Sequence, residues 1–303
     1  MNHENIIVTR PSKLYLKRSQ LILESGENAA QVPVEDLRHL ILDNENIKLT
    51  KALLVEIAQN NGVIVVCNER HIPCGIYTSF HQHFQSSKII NLQIENGEKI
   101  NGKIWKAIIK QKIINQSLII KELNPKIFDQ MIKLISDIKI NDETNIEGQA
   151  AKIYFNTLFG ENFIRRRYRD KDIDFTNILL NYGYSIMRSA VIRALICHGL
   201  LPIFGLKHKS NTNSFNLADD FMEPFRPIVD LYVFKYTKEN LKQSNEFNIK
   251  NKKELTLLIN TKMKIDDKVI EMDKAAELMA ISYVKALENK KPSLIKIPKL
   301  IKR

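Results

Sequence analysis

Gly62-Val63-Ile64-Val65-Val66-Cys67 is an apolar run of six residues, short enough to be a buried strand rather than a helix. Just before it, Lys51 to Gln59 puts Leu53, Leu54 and Ile57 on one helical face, with Thr50 placed to cap the helix and Asn61-Gly62 to stop it. Further back, His39 to Asp43 and Asn46 to Leu49 read as two strands about the turn Asp43-Asn44-Glu45-Asn46. Ile6-Ile7-Val8-Thr9, the pair Leu14 and Leu16, and Leu21 to Leu23 add further strands, with Ser25-Gly26-Glu27-Asn28 as a turn.

On the other side of the run the pattern changes after about Gly75. Ile104, Ala107, Ile108, Ile113, Ile114 and Leu118 recur at helical spacing, and Phe128, Met131, Ile132, Leu134 and Ile135 continue it. The expected fold is therefore α+β. A small β-rich N-terminal domain (1–80) precedes a larger all-helical C-terminal domain (81–303), with 81–100 as a connector. Residues 290–303 alternate basic and apolar residues around Pro292 and Pro298, and read as a solvated tail in preference to an ordered contact with DNA or a partner.

The 303 residues suffice for two unequal domains, and a hydrophobic content of 44% suffices for real cores. Lys and Arg number 46 against 34 Asp and Glu, a formal net charge of +12 that favours a polyanionic partner. A membrane partner is not expected. The longest uncharged apolar stretch, Ala194 to Leu206, is interrupted by His198, Gly199, Pro202 and Gly205, and falls short of the roughly 20 residues a spanning helix needs. Met1 to Arg10 holds no secretory signal, and the three cysteines (Cys67, Cys74, Cys197) suit a reducing cytoplasm. P-loop, nucleophile-elbow and H-E-x-x-H motifs are absent, which fits a reaction needing no nucleotide fuel.

Three segments carry residues that chemistry could use. Glu147 opens a helix, where Thr144-x-x-Glu147 also has the spacing of a capping box. His208 lies in the loop Gly205-Leu206-Lys207-His208-Lys209-Ser210, either as a surface histidine or as a ligand whose protonation the flanking lysines disfavour. Asp220 and Glu223, three apart, share a face if the helix persists, though Pro224 and Pro227 should distort or end it. That pair is either a solvated first turn or a repelling pair that needs a cation. Taken together, a Glu, a His and one or two further carboxylates form a mixed oxygen and nitrogen set suited to Mg²⁺ or Mn²⁺. Phe163-Ile164-Arg165-Arg166-Arg167-Tyr168-Arg169 interleaves arginines with aromatics, as phosphate contact or an ordinary exposed face would. A competing zinc site would use Cys67, His71, Cys74, His81 and His83, whose spacing is irregular.

The run Leu180-Asn181-Tyr182-Gly183-Tyr184-Ser185-Ile186-Met187-Arg188, then Gly199-Leu200-Leu201-Pro202, Gly205-Leu206-Lys207-His208 and Leu217-Ala218-Asp219-Asp220-Phe221-Met222-Glu223-Pro224-Phe225-Arg226-Pro227, resembles the CRISPR-associated spacer-integrating endonuclease (CRISPR-associated protein one) of type II systems. Ile146 to Ala151 and Lys112-Ile113-Ile114-Asn115-Gln116 resemble it too. The resemblance implies a metal-dependent DNA endonuclease and integrase of antiviral defence. It would insert spacers into a CRISPR array by 3′-hydroxyl transesterification. It places the metal ligands at Glu147, His208 and Glu223, with Asp220 as a further acidic position; many members carry Asp where Glu223 stands. It implies a homodimer through the N-terminal domain, CRISPR-associated protein two as partner, and double-stranded DNA as both incoming spacer and repeat target. Arg165, Arg166, Arg167, Lys207 and Lys209 are the expected DNA contacts from their spacing. The alternative is a non-catalytic nucleic-acid-binding scaffold, which explains the charge but not the combined acids and histidine.

Overall fold

The computed structural model describes residues 4–79, 83–168, 170, 172–240 and 246–301. The N-terminal part is two four-stranded sheets and one helix. One sheet orders β1 (Glu4–Val8), β5 (Leu37–Leu42), β7 (Val63–Cys67) and β8 (Pro73–Tyr77); the other orders β4 (Asn28–Pro33), β3 (Gln20–Ser25), β2 (Ser12–Lys17) and β6 (Ile47–Leu49). The run at 63–67 is the strand its sequence predicts, and it pairs parallel to β5 and antiparallel to β8. Helix α1 (Lys51–Gln59) starts where Thr50 accepts from the Leu53 amide.

Every residue of β5 is buried, because its sheet has cover on both faces. Leu40, Leu42 and Ile64 pack with Leu14, Leu21, Leu53 and Ile57 in the small domain's core. Ile41 and Val65 turn the other way, into the core of the helical part. That part contains α2 (Ser86–Leu123), α3 (Pro125–Leu134), α4 (Ile146–Phe159), α5 (Phe175–Cys197), α6 (Asn216–Phe221), α7 (Arg226–Glu239), α8 (Ile249–Leu257) and α9 (Met272–Glu288).

Polar bonds fasten the two parts. Asp273, at the start of α9, meets Arg38 and lies 3.2 Å from His39 Nε2, while Arg193 reaches Glu277 at 2.9 Å and the Asn61 carbonyl at 2.8 Å. Lys252 donates to Asp43 at 2.6 Å.

Three expectations need correction. The stretch read as a connector is helix from Ser86 onward. The C-terminal part is not all helical: β9 (Lys262–Ile265) pairs antiparallel with β10 (Lys268–Glu271) and with β11 (Lys299–Leu300). The tail read as solvated is ordered through Ile301, since β11 completes that sheet and Leu294, Ile295, Ile297 and Leu300 pack on the core; residues 302–303 lie outside the described residues.

Candidate metal centre

Asp220 organises the loop that carries His208. Helix α6 buries it completely, and both oxygens are used. Oδ2 accepts from the amides of Leu206 and Lys207, the latter at 2.9 Å, and Oδ1 meets Nδ1 of His208. The loop can wrap so tightly because residue 205 is glycine: a β-carbon there would stand 2.2 Å from the His208 carbonyl oxygen. Trp105 of α2 meets the imidazole edge-on, ring centres 5.9 Å apart. With Nδ1 engaged, Nε2 is the ring nitrogen available to another partner.

The bond to Asp220 raises the His208 pKa above the usual imidazole value, against partial burial, and the charges of Asp220, Glu223 and Asp219 add to it. This corrects the expectation that flanking lysines would disfavour protonation. Lys207 Nζ donates to the Asn141 carbonyl at 2.8 Å, and the carboxylates outweigh it. Burial also pushes the Asp220 carboxyl up, opposed by His208 and the two amides.

Glu147 and Glu223 meet at a different point. Lys112 of α2 stands between them, its ammonium on Glu147 Oε1 and 2.5 Å from Glu223 Oε2. Arg226 Nε donates to Glu223 Oε1 at 2.8 Å. The Lys112 and Glu223 side chains are nearly closed off, while Glu147 is 30% exposed and forms the open side. Burial would raise the Glu223 pKa, but Arg226 and Lys112 overcome it and hold the carboxyl at about 2.

Glu147 is not the helix cap. Asn145 caps α4 by accepting from Gly148, and the Asp142 carboxylate accepts from the amides of Ile146 and Glu147 at 2.8 and 3.0 Å. With those amides satisfied, the Glu147 side chain turns to Lys112. Asp220 and Glu223 do not share a helix face either. Helix α6 ends at Phe221, and Glu223 sits in the turn before α7, which has Pro227 in its first turn. Asp220 therefore faces the 205–208 loop and Glu223 faces Lys112.

The donor chemistry fits a hard divalent ion. Two carboxylates from separate elements converge on one positive centre, and a carboxylate-tethered imidazole, within electrostatic reach of Glu223, offers nitrogen. Among the described residues no three His, Cys, Asp or Glu side chains are grouped closely enough to hold a metal ion as they stand, and Lys112 lies between the two glutamates. Lys112, Arg226, Trp105 and Gly205 are the members that residue-by-residue reading left unassigned. The sequence signal for Lys112 was only its place between the apolar pairs Ile108-Ile109 and Ile113-Ile114, a place that Lys110 shares.

The predicted basic residues divide. Arg165 is engaged inside the protein, donating to Asn177 at 2.9 Å and Asn181 at 2.6 Å and lying over the Tyr184 ring. Arg166 donates to the Asp172 carbonyl. Arg167, Lys207 and Lys209 are exposed, and Arg169 lies outside the described residues. Among the described residues the competing zinc set does not assemble. Burial pushes the Cys67 thiol up to about 12, His71 Nδ1 lies 2.8 Å from Asp43, and His81 is outside the described residues.

Residues 6–268 match the family model of CRISPR associated protein Cas1. The chain belongs to the Cas1 family. A CRISPR-associated endonuclease Cas1 of Neisseria meningitidis serogroup C (strain 8013) is 32% identical over 303 residues, covering 99% of this Cas1 chain and 97% of that protein. The Cas1 fold superposes on a casposase bound to its integration product with a TM-score of 0.79 at 18% identity, covering 95% of this chain and 91% of that one. It also superposes on a chain of a Cas6-RT-Cas1–Cas2 complex with a TM-score of 0.75 at 16% identity, covering 100% of this chain and 36% of that one. At these identities the likeness is one of fold. Among the described residues no helix is long and apolar enough to cross a membrane.

Proposed function

We propose that this Cas1 chain cuts and joins DNA, inserting short foreign pieces into a repeat array, with Mg²⁺ or Mn²⁺ held by Glu147, His208 and Glu223. One observation carries the reading. Two carboxylates from separate elements share a single cation position near an imidazole whose other nitrogen is tied to a buried aspartate. A surface that only binds DNA has no use for such a centre. The names of its relatives point the same way: one is an endonuclease, and a fold neighbour was captured with its integration product.

When bound, the ion polarises a phosphodiester and lowers the pKa of an attacking hydroxyl. The protein's own groups do the rest. Asp220 fixes the tilt of the His208 ring, and Arg226 fixes the Glu223 carboxylate through Nε. Lys207, Lys209 and Arg167 offer charge to flanking phosphates. No side chain is needed as nucleophile, since the 3′-oxygen of the incoming strand bonds to phosphorus while the 3′-oxygen of the cut strand leaves. The reading includes pairing of two copies through the N-terminal domain; it also includes assembly with a Cas2 protein, which the name of the Cas6-RT-Cas1–Cas2 complex supports.

The test supplies a duplex with a 3′-hydroxyl and a supercoiled target, with Mn²⁺ or with chelator. Strand transfer with Mn²⁺ that is lost with chelator and in Glu147→Ala is the expected result. Equal DNA binding without cutting or transfer in either condition leaves a binding scaffold and overturns the enzyme.

A further inference from the structure

The centre is already close to charge balance before any ion enters. Lys112 and Arg226 face Glu147 and Glu223, two cations against two anions. Asp220 is paired with His208, and the nearby Asp219 is matched by Arg188 at 2.7 Å. A divalent ion added to these paired charges brings positive charge that the arrangement does not offset. The chain's net charge of +12 offers it no relief. A phosphodiester brings negative charge to the same place.

Lys112 is suited to resolve the excess. Its side chain is 6% exposed, so its ammonium is held by the two glutamates rather than by water. Without it, two carboxylates would face each other in a poorly solvated space, which is costly. A lysine stem also carries its charge on four rotatable bonds, and can deliver it to a new partner without moving the helix.

We propose, building on the metal-dependent reading above, that Lys112 is a resident counter-cation that couples metal uptake to DNA. Without DNA its ammonium bridges Glu147 and Glu223 and competes with the ion for them. When a phosphodiester arrives, the ammonium turns to a phosphate oxygen, and the ion takes its place between the glutamates. The device would keep the protein poorly loaded, and so inert, away from DNA.

The test is Mn²⁺ binding to the full-length protein, followed calorimetrically and by the signal of free Mn²⁺, with and without a 3′-hydroxyl duplex. Wild type should bind Mn²⁺ about tenfold more tightly with the duplex, within the usual range of coupling between two sites. Lys112→Gln should bind Mn²⁺ about tenfold more tightly than wild type without DNA and lose most of the duplex effect. Lys112→Arg, which keeps the charge, should stay weak without DNA. Equal Mn²⁺ affinity of wild type with and without duplex overturns the coupling by itself, whether or not the glutamine variant folds. A glutamine variant that folds yet binds Mn²⁺ no more tightly than wild type overturns the role of Lys112. Wild type that takes up no Mn²⁺ under any condition removes the metal reading, and this inference with it.

Discussion

His208 and Asp220 are joined through Nδ1 and Oδ1, and the same aspartate holds the amides of Leu206 and Lys207. Ring tilt, ring basicity and loop shape therefore depend on one carboxylate. Replacing it by Asp220→Asn should lower the His208 pKa toward that of free imidazole, as read by an NMR titration of the ring. The sign for stability follows from the raised folded-state pKa. The pair's contribution is full below the unfolded value of about 6.5 and is lost as pH rises through the folded value. The asparagine variant should lose stability mainly on the acid side of that window. An unchanged His208 titration would remove Asp220 as the source of the shift.

Gly205 tests the loop without touching a donor atom. Gly205→Ala places a β-carbon 2.2 Å from the His208 carbonyl oxygen and 3.1 Å from Asp220 Oδ2. The loop must move, and a displacement of about an ångström at a reacting site can reduce rate about a hundredfold. Strand transfer should fall by that order while duplex affinity stays near wild type. Transfer at the wild-type rate would mean that the position of the His208 loop does not matter.

Asp273 is the acid on which the domain junction turns. Burial would raise its pKa, but His39, Arg193 and Arg38 hold its carboxyl far below the usual range. Asp273→Ala leaves the Arg38 and Arg193 guanidiniums facing a buried gap and should destabilise the fold by about 3–5 kcal/mol, measured by urea unfolding. A change below about 1 kcal/mol, the scale of a surface pair, would show that solvent reaches the junction.

The arginine run separates into different roles. Arg167→Ala should reduce the salt dependence of duplex binding by about one unit of slope, the signature of one lost phosphate contact. Arg165→Ala should instead lower the melting temperature, because Asn177, Asn181 and the Tyr184 ring lose their partner. Equal salt slopes for wild type and Arg167→Ala would take Arg167 out of the interface.

The N-terminal strands were legible because their apolar residues alternate or run continuously between turn residues. β4 was missed because Asn28-Ala29-Ala30-Gln31-Val32-Pro33 is a largely exposed edge with little to bury. The first turns of α2 escaped for the opposite reason. They bury polar groups, with Gln93 bonded to both the amide and the carbonyl of Leu201, Asn96 to the Leu287 carbonyl and Asn101 to the Tyr283 hydroxyl. Those partners are 108 to 191 residues away, and no hydrophobic period records them. The hairpin of β9 and β10 turns at Asp266, where φ is 51°; the pair Asp266-Asp267 is the turn signal that the helical reading passed over. In the centre, each acid had a bland explanation taken alone. The ordered resemblance grouped them, but not Lys112, whose role depends on two glutamates brought together only by the fold.

Asn115 gives the centre an order of assembly. Its amide nitrogen donates to the carbonyls of Pro224 at 2.8 Å and Pro298 at 3.2 Å, and its oxygen accepts from the Leu300 amide at 3.1 Å. It lies one helical turn from Lys112, and Pro224 adjoins Glu223. On a ribosome, which makes the chain from its amino end, Asn115 must wait for residue 300 before its bonds are complete. Nascent chains and fragments cut before Pro298 therefore carry Glu147, His208, Asp220 and Glu223 yet lack the clasp beside Lys112 and Pro224, so the metal centre proposed above would be complete only after synthesis has passed that point.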